Sequence, residues 1–154
     1  MSRGLGDVYK RQTQHGDIDA VAIGLDLTDR AAQSKLREDG LPWSKAKTFR
    51  QAAVLGTFYP WRRGLEALSN EATALRIECD INGERWQEAS LSEMDIPPSV
   101  QADALMQWAP VSNGDLLFTG TPTGVGQLKP GDTIEARLIA HDGELLSSYN
   151  GRCL

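Results

Sequence analysis

The chain has few of the residues that build metal clusters or disulfide frameworks. Of its 154 residues two are cysteines, Cys79 and Cys153, and neither lies in a Cys-x-x-Cys or Cys-x-x-His pair. Structural zinc sites need such clustered ligands, and small secreted domains need several paired cysteines. The sequence therefore predicts neither a zinc site nor a disulfide framework, and we expect both thiols to be reduced.

Long apolar runs and an excess of basic residues are missing as well. No stretch approaches the roughly 20 apolar residues of a membrane-spanning helix, and no charged segment leads into an apolar one at the start. The chain has 16 lysine and arginine residues and 21 aspartate and glutamate residues, and the two signs are interspersed. The sequence therefore indicates no basic surface that would bind the phosphate backbone of a nucleic acid. We expect a soluble, cytoplasmic protein with no membrane partner and no nucleic-acid partner.

The first residues differ in pattern from the rest. "MSRGLGDVYKRQTQHGD" mixes glycine with arginine, lysine and glutamine and has no hydrophobic period, whereas "DIDAVAIGLDLT", which begins at its last residue, alternates as a buried strand does. We expect residues 1–16 to be a non-native or disordered leader and residues 17–154 to form one domain.

The periodicity of that domain predicts a mostly β fold of the α+β class. Thr28 or Asp29 can cap its first helix, and Asn82-Gly83 is the strongest short hairpin signal. The expected elements are a strand over residues 20–27, a helix over 30–39, a hairpin over 75–89, a helix over 97–108, and strands over 115–120, 132–140 and 144–149.

Two polar clusters follow the first strand. In "GLDLTDRAAQ", Asp26 lies near the end of that strand, and Arg30 and Gln33 lie on the helix after it. In "GLPWSKAKTF", Lys45 and Lys47 are expected to share a strand face. An ordinary reading remains open for both, because Asp26 could be a cap or turn carboxylate and the lysines could be surface residues that pack their stems on apolar neighbours.

The third cluster is the loop "LLFTGTPTGVGQLKPGD", residues 116–132, which contains four glycines. Glycine allows the backbone to approach a neighbour closely, although a plain turn between strands is the simpler reading. The loop lacks the Gly-Lys-Ser/Thr ending of a phosphate-binding loop, and its glycines do not fit the dinucleotide fingerprint. Each cluster alone is therefore a weak signal.

The blocks together resemble a known family. "DLTDRAAQ", "LPWSKAK", "INGERWQ" and "TGTPTGVG" occur here in the order and spacing of the C-terminal catalytic region of the fumarylacetoacetate hydrolase family. Within that family the chain is most similar to the small acylpyruvase and fumarylpyruvate hydrolase-like members. The resemblance covers about residues 17–150 and implies a mixed β-roll, which we expect to lack its first strands, in a homodimer.

The resemblance also implies roles for single residues. Asp26 corresponds to a ligand of Mg²⁺ or Mn²⁺, which prefer oxygen donors. Lys47 corresponds to the active-site lysine, and Gln33 and Arg30 to a polar helix face, so these three are the expected catalytic residues.

Substrate binding is expected from the glycine-rich loop and from Lys47. Gly120 and Thr121 correspond to the family's substrate-contacting loop, where a missing side chain and a hydroxyl can both approach an oxyacid. The family's further metal ligands, a Glu-x-Glu pair before the aspartate block, have no counterpart upstream of Asp26. We therefore expect a domain truncated on its N-terminal side.

The implied activity is metal-dependent hydrolysis of a carbon–carbon bond in a β-diketone-type 2-oxo acid, or decarboxylation of oxaloacetate. Both reactions pass through an enolate that a cation stabilises. The alternative is a non-catalytic β-rich fragment that keeps the fold without a complete metal site.

Overall fold

The computed structural model describes the backbone of residues 2–8 and all of residues 18–154. Its strands are Ser2–Val8 (β1), Ala20–Val21 (β2), Ile23–Thr28 (β3), Ala53–Leu55 (β4), Tyr59–Pro60 (β5), Arg76–Ile81 (β6), Glu84–Ser90 (β7), Gly126–Gln127 (β8), Thr133–Ile139 (β9) and Leu145–Arg152 (β10). Its α-helices are Arg30–Glu38 (α1), Ser44–Lys47 (α2) and Pro98–Met106 (α3), and single 3-10 turns are Glu66–Leu68 and Leu91–Glu93. The expected mostly β fold is confirmed.

The strands form two four-stranded sheets and one short pair. The first sheet has the order β4-β3-β1-β8, the second has the order β10-β9-β6-β7, and β2 pairs with β5. Every strand pairing is antiparallel. Because β2 and β3 belong to different sheets, the single strand expected over residues 20–27 is divided at Ala22, where the chain passes from one sheet to the other.

One hydrophobic core lies between the two larger sheets. It takes Ile23 and Leu25 from β3 and the inward-facing residues of β6 and β9, among them Ile77 and Leu138. Burial of apolar side chains of this size contributes about 1.5–3 kcal/mol each relative to exposure. Strand β3 is buried along almost its whole length, and Asp26 is its one partly exposed residue.

The hairpin and the first helix follow the sequence pattern closely. Strands β6 and β7 are joined at Asn82-Gly83, where both residues have positive φ, as a two-residue turn requires. Asp29 caps α1, since its carboxylate accepts a hydrogen bond from Ala32 N at 3.0 Å. The expected helix near residues 97–108 is observed as α3, which has proline at its first position.

Two expected strands are wrong. Lys45 and Lys47 lie on the short helix α2 instead of a strand face. Residues 115–120 form no strand, apart from one bridge at Leu116. A strand needs a backbone partner as well as an apolar pattern, and this segment has only that single bridge in the described part of the chain.

Part of the expected leader over residues 1–16 has a described backbone. Ser2–Val8 forms the strand β1, which pairs with β3 on one side and with β8 on the other. Strands pair through their backbones, which does not require an alternating side-chain pattern. The absence of a hydrophobic period in these residues therefore gave no sign of the strand. Residues 9–17 lie outside the described residues, and whether residues 1–16 are non-native stays a prediction. Among the described residues, no helix is both long and apolar enough to cross a membrane.

Candidate active site

An ion pair at the end of β3 is the centre of the site. Lys47 Nζ lies 2.6 Å from Asp26 Oδ2, and each side chain is 37% exposed. The Lys47 ammonium therefore points toward Asp26, whereas its role as the active-site lysine stays a prediction. A half-exposed pair of this kind contributes little to stability, about 0–1 kcal/mol.

The local fold explains why Lys47, and not Lys45, reaches the carboxylate. Helix α2 is tied to the end of β3 by a hydrogen bond from Asp29 N to Ala46 O at 3.0 Å, and Ala46 is fully buried. Residues two apart on a helix point to nearly opposite sides, so Lys47 faces β3 while Lys45 remains exposed.

Gln33 and Arg30 form a second pair on α1. Arg30 Nη1 donates to Gln33 Oε1 at 2.9 Å, and Gln33 is 8% exposed whereas Arg30 is exposed. The pair follows the helix cap at Asp29, at the same end of β3 as Asp26. Their catalytic role stays a prediction.

The glycine-rich loop lines a separate cavity. Gly120 and Thr121 border a space of about 500 Å³ together with residues of β7, the turn after it and α3. Lys47, Asp26, Gln33 and Arg30 are not among the described residues that line it. Gly126, at the end of the loop, lies two strands from β3 in the first sheet, roughly 10 Å away. The loop is thus a neighbour of the ion pair in the first sheet.

Close packing explains two of the loop glycines, since a Cβ at Gly126 would overlap the Trp86 ring and one at Gly124 the backbone of the same residue. A side chain at Gly124, where φ is +96°, would overlap the Trp86 carbonyl oxygen and lie 3.0 Å from Gln87 Cγ. At Gly120 the backbone conformation, with φ +119°, favours glycine. Packing does not, because a Cβ there would meet nothing within 4 Å among the described residues. At Gly124 the loop therefore packs closely against the neighbouring strand β7.

Two glutamines hold this loop. The Gln87 carboxamide donates through Nε2 to Thr121 Oγ1 at 3.1 Å, to Pro122 O at 2.8 Å and to Thr123 O at 3.1 Å. From α3, Gln101 Nε2 donates to Thr119 O at 2.8 Å. The sequence reading missed both residues, although Gln87 closes the "INGERWQ" block and could have been noticed there.

The described residues do not form a site for Mg²⁺ or Mn²⁺. Among the side chains of residues 18–154, no three of the Asp, Glu, His or Cys type come together, and the Asp26 carboxylate is engaged by the Lys47 ammonium. A divalent cation of this type is held by several oxygen donors, so one carboxylate paired with a cation does not suit it. Asp26 stays a predicted ligand whose further donors would have to come from outside these residues.

A second cluster of charges lies on the outer face of the second sheet. Arg85 and Arg137 both bridge Glu78 and Asp80, with Arg85 Nη2 2.8 Å from Glu78 Oε2. Burial of Asp80 opposes ionisation, but hydrogen bonds from the two guanidinium groups outweigh it and lower the pKa of this carboxyl below its ordinary value. Each carboxylate of this cluster is paired with guanidinium groups of the same sheet.

Comparison with known proteins identifies the family. The profile of the fumarylacetoacetate (FAA) hydrolase family, C-terminal, matches residues 1–147. The chain belongs to the fumarylacetoacetate hydrolase family. Its similarity to the mitochondrial oxaloacetate tautomerase of Mus musculus is 35% identity over 115 residues, covering 75% of this chain and 50% of that protein.

Two further proteins support the same assignment. The mitochondrial oxaloacetate tautomerase of Saccharomyces cerevisiae is 29% identical over 148 residues, covering 95% of this chain and 57% of that protein. The crystal structure of yeast ynq8, a fumarylacetoacetate hydrolase family protein, superposes with a TM-score of 0.79 at 26% identity, covering 99% of this chain and 64% of that one. The chain spans about half the length of the curated relatives it matches.

Proposed function

We propose that this chain is the catalytic region of an enzyme that acts on a short 2-oxo acid, and that Lys47 and Asp26 form the polar centre of its site. The observation that carries the proposal is the 2.6 Å ion pair at Asp26, the one partly exposed residue of β3, in a chain of this family. Gln33 and Arg30 on α1 are proposed as its further catalytic residues.

The candidate reactions share one chemical requirement. Hydrolysis of the carbon–carbon bond of an acylpyruvate, decarboxylation of oxaloacetate and interconversion of its keto and enol forms all develop negative charge on the oxygen of an enolate. A fixed cation next to that oxygen stabilises the transition state more than the ground state. The Lys47 ammonium, positioned by Asp26 and by the buried Ala46, is such a cation.

Lys47 can also bind the substrate. A 2-oxo acid carries a carboxylate beside its keto oxygen, and an ammonium has three donors, so Lys47 can keep Asp26 as one partner and offer the others to the acid. The half exposure of both side chains leaves room for a small molecule. The Thr121 hydroxyl, on the neighbouring loop, is proposed to contact a more distant part of the substrate.

The relatives favour a second candidate reaction beside hydrolysis and decarboxylation. The mouse and yeast proteins named above are oxaloacetate tautomerases, and a protein of Dictyostelium discoideum with 28% identity is an oxaloacetate decarboxylase. Tautomerisation of oxaloacetate is therefore proposed as the alternative activity. A divalent cation, a homodimer and a cytoplasmic location remain predictions, and the mouse and yeast relatives carry a mitochondrial designation.

The test compares two lysines on one short helix. The chain, Lys47→Met and Lys45→Met are assayed for turnover of acetylpyruvate and of oxaloacetate, following enol and keto forms and CO₂ separately, with and without Mg²⁺ or Mn²⁺. Loss of a preorganised donor lowers kcat by about 10²–10³, so Lys47→Met should fall by that factor. Lys45→Met, which removes an exposed ammonium two residues away, should retain wild-type turnover.

The products decide between the candidates. Pyruvate with acetate indicates hydrolysis, CO₂ indicates decarboxylation, and a change in the enol fraction alone indicates tautomerisation. Turnover that survives in Lys47→Met would contradict the proposed role of this residue. A chain that turns over none of these substrates under any metal condition would favour the alternative, a non-catalytic β-rich fragment.

A further inference from the structure

Three asparagine-glycine pairs occur in the chain, at Asn82-Gly83, Asn113-Gly114 and Asn150-Gly151. In such a pair the backbone nitrogen of the glycine can attack the side-chain carboxamide of the asparagine, because glycine has no Cβ that hinders the approach. The three pairs are chemically alike, so only their surroundings in the fold can set their reactivities apart.

The reaction in question is spontaneous deamidation. The glycine nitrogen forms a bond to the asparagine Cγ, the bond from Cγ to Nδ2 breaks, and Nδ2 leaves as ammonia with the proton of the glycine amide. Water then opens the resulting five-membered succinimide at either of its two carbonyl carbons and leaves aspartate or isoaspartate. Ring closure therefore requires a carboxamide that is free to turn and a backbone that can rotate beside it.

The Asn82 carboxamide is held at both ends. Its Nδ2 donates to Asp132 Oδ1 at 2.9 Å, and its Oδ1 accepts from Thr133 N at 2.9 Å. The backbone is fixed as well, because Asn82 N donates to Thr133 O at 3.0 Å. Turning this carboxamide toward Gly83 N would break both side-chain bonds, and the fold therefore opposes the reaction at Asn82.

Strand pairing holds the second pair, Asn150 and Gly151. These residues lie opposite Glu135 and Ile134 in the ladder between β10 and β9. The side chain of Asn150 is exposed, but the five-membered ring forces a backbone dihedral that an extended strand does not have. The reaction at Asn150 therefore requires the pairing around it to open.

The third pair lies in the turn of residues 112–115 and is held by much less. Asn113 is exposed, and its carboxamide has no hydrogen bond to the described part of the chain. Two exposed bonds close the turn, from Asp115 N to Ser112 O at 3.1 Å and from Ser112 N to Asp115 Oδ2 at 2.8 Å. Gly114 has φ +93°, and no described atom lies within 4 Å of a Cβ there. Neither a sheet nor close packing thus restrains this pair.

We propose that Asn113 is a site of spontaneous deamidation in the folded chain, and that the fold protects Asn82 and Asn150 from the same reaction. The contrast between the three carboxamides and their backbones carries this inference, which does not depend on the proposed function. The order of reactivity follows from the free energy needed to open each segment, which is smallest for an exposed turn.

The modification changes the connection between α3 and the glycine-rich loop. Isoaspartate at residue 113 inserts one carbon atom into the main chain between Ser112 and Asp115, and this lengthening disrupts the two hydrogen bonds that close the turn. Either product also adds a carboxylate two residues before Asp115. Deamidation therefore loosens the turn that leads into residues 116–132.

Peptide mapping by mass spectrometry tests the proposal on the unmodified chain. The chain is incubated at mildly alkaline pH, both folded and in concentrated urea, and the deamidation rate of each asparagine is measured. The rate in the folded chain is then divided by the rate of the same residue in urea, which cancels the effect of its sequence neighbours. We expect this ratio to be about tenfold higher for Asn113 than for Asn82 and Asn150.

Two results would overturn the proposal. One is a ratio for Asn82 or Asn150 that equals or exceeds that of Asn113, and the other is a folded chain in which Asn113 does not react. Asn113→Gln serves as the control for the assignment, because the longer side chain closes its ring far more slowly, and the product assigned to residue 113 should disappear in this variant.

The protection of Asn82 has a test of its own in Asp132→Ala, which removes the acceptor of Asn82 Nδ2. The ratio for Asn82 should rise about threefold or more, while that for Asn150 keeps its wild-type value. An unchanged ratio at Asn82 would contradict the protective role of this hydrogen bond. The comparison of the three asparagines in wild type needs no substitution, so it decides the proposal even where this variant folds poorly.

Discussion

The packing of the loop against β7 makes a quantitative prediction for two glycines. Gly120→Ala and Gly124→Ala both place a Cβ on a residue with positive φ, +119° and +96° respectively. That conformation costs an alanine about 1–2 kcal/mol. At Gly124 the Cβ also overlaps the Trp86 carbonyl oxygen, and relieving such an overlap costs about 1–3 kcal/mol more. Among the described residues, nothing lies within 4 Å of a Cβ at Gly120.

The free energy of unfolding should therefore fall by about 1–2 kcal/mol for Gly120→Ala and by about 2 kcal/mol more for Gly124→Ala. The entropy that alanine removes from the unfolded chain is common to both variants and cancels in the comparison. With an m-value of about 2 kcal/mol per molar urea, the two midpoints should differ by about 1 M. Equal midpoints would refute the argument that close approach to β7 selects glycine at residue 124.

One thiol, one paired carboxylate and one helix cap give separate tests of the packing. Burial raises the pKa of the Cys79 thiol to about 12, so at pH 8 a disulfide reagent should label Cys153 in the folded chain and both cysteines only in urea. The pKa of Asp80 is lowered in the folded state, so its contribution to stability is complete above the ordinary value of 3.8 and is lost as the pH falls through the folded pKa. Urea midpoints should thus drop as the pH falls below about 3.8, and less steeply in Asp80→Asn; an equally steep drop would contradict this pairing. Asp29→Ala should lower the free energy of unfolding by about 1 kcal/mol through loss of the α1 cap, whereas Asp39→Ala, at the other end of that helix, should be neutral or slightly stabilising.

Local signals in the sequence predicted the elements that depend on local physics. The alternation of β6, the Asn82-Gly83 turn and the Asp29 cap all act within a few residues, and each is observed. The strand expected over residues 115–120 is not observed, because a strand needs a backbone partner, often one far away in sequence, and an apolar pattern does not supply one.

The site was predictable only in part. The family blocks pointed to Asp26 and Lys47, and the structure brings these two side chains together. The sequence of residues 44–47 does not by itself distinguish a short helix from a strand. Lys47, and not Lys45, faces Asp26 because the hydrogen bond from Asp29 to Ala46 fixes the orientation of the helix, and this contact is tertiary. The hydrogen bonds from Gln87 to a loop more than thirty residues later are likewise tertiary contacts, which local sequence does not predict.

The central claim, that a 2-oxo acid binds at Lys47, is tested most directly by mapping where oxalate binds. Oxalate is titrated into ¹⁵N-labelled chain, Lys47→Met and Lys45→Met, and the backbone resonances that move are assigned. The account predicts shifts at the end of β3 and on α2 in wild type and in Lys45→Met, and their loss in Lys47→Met. Shifts that persist in Lys47→Met, or that lie only on the outer face around Arg85 and Arg137, would contradict it.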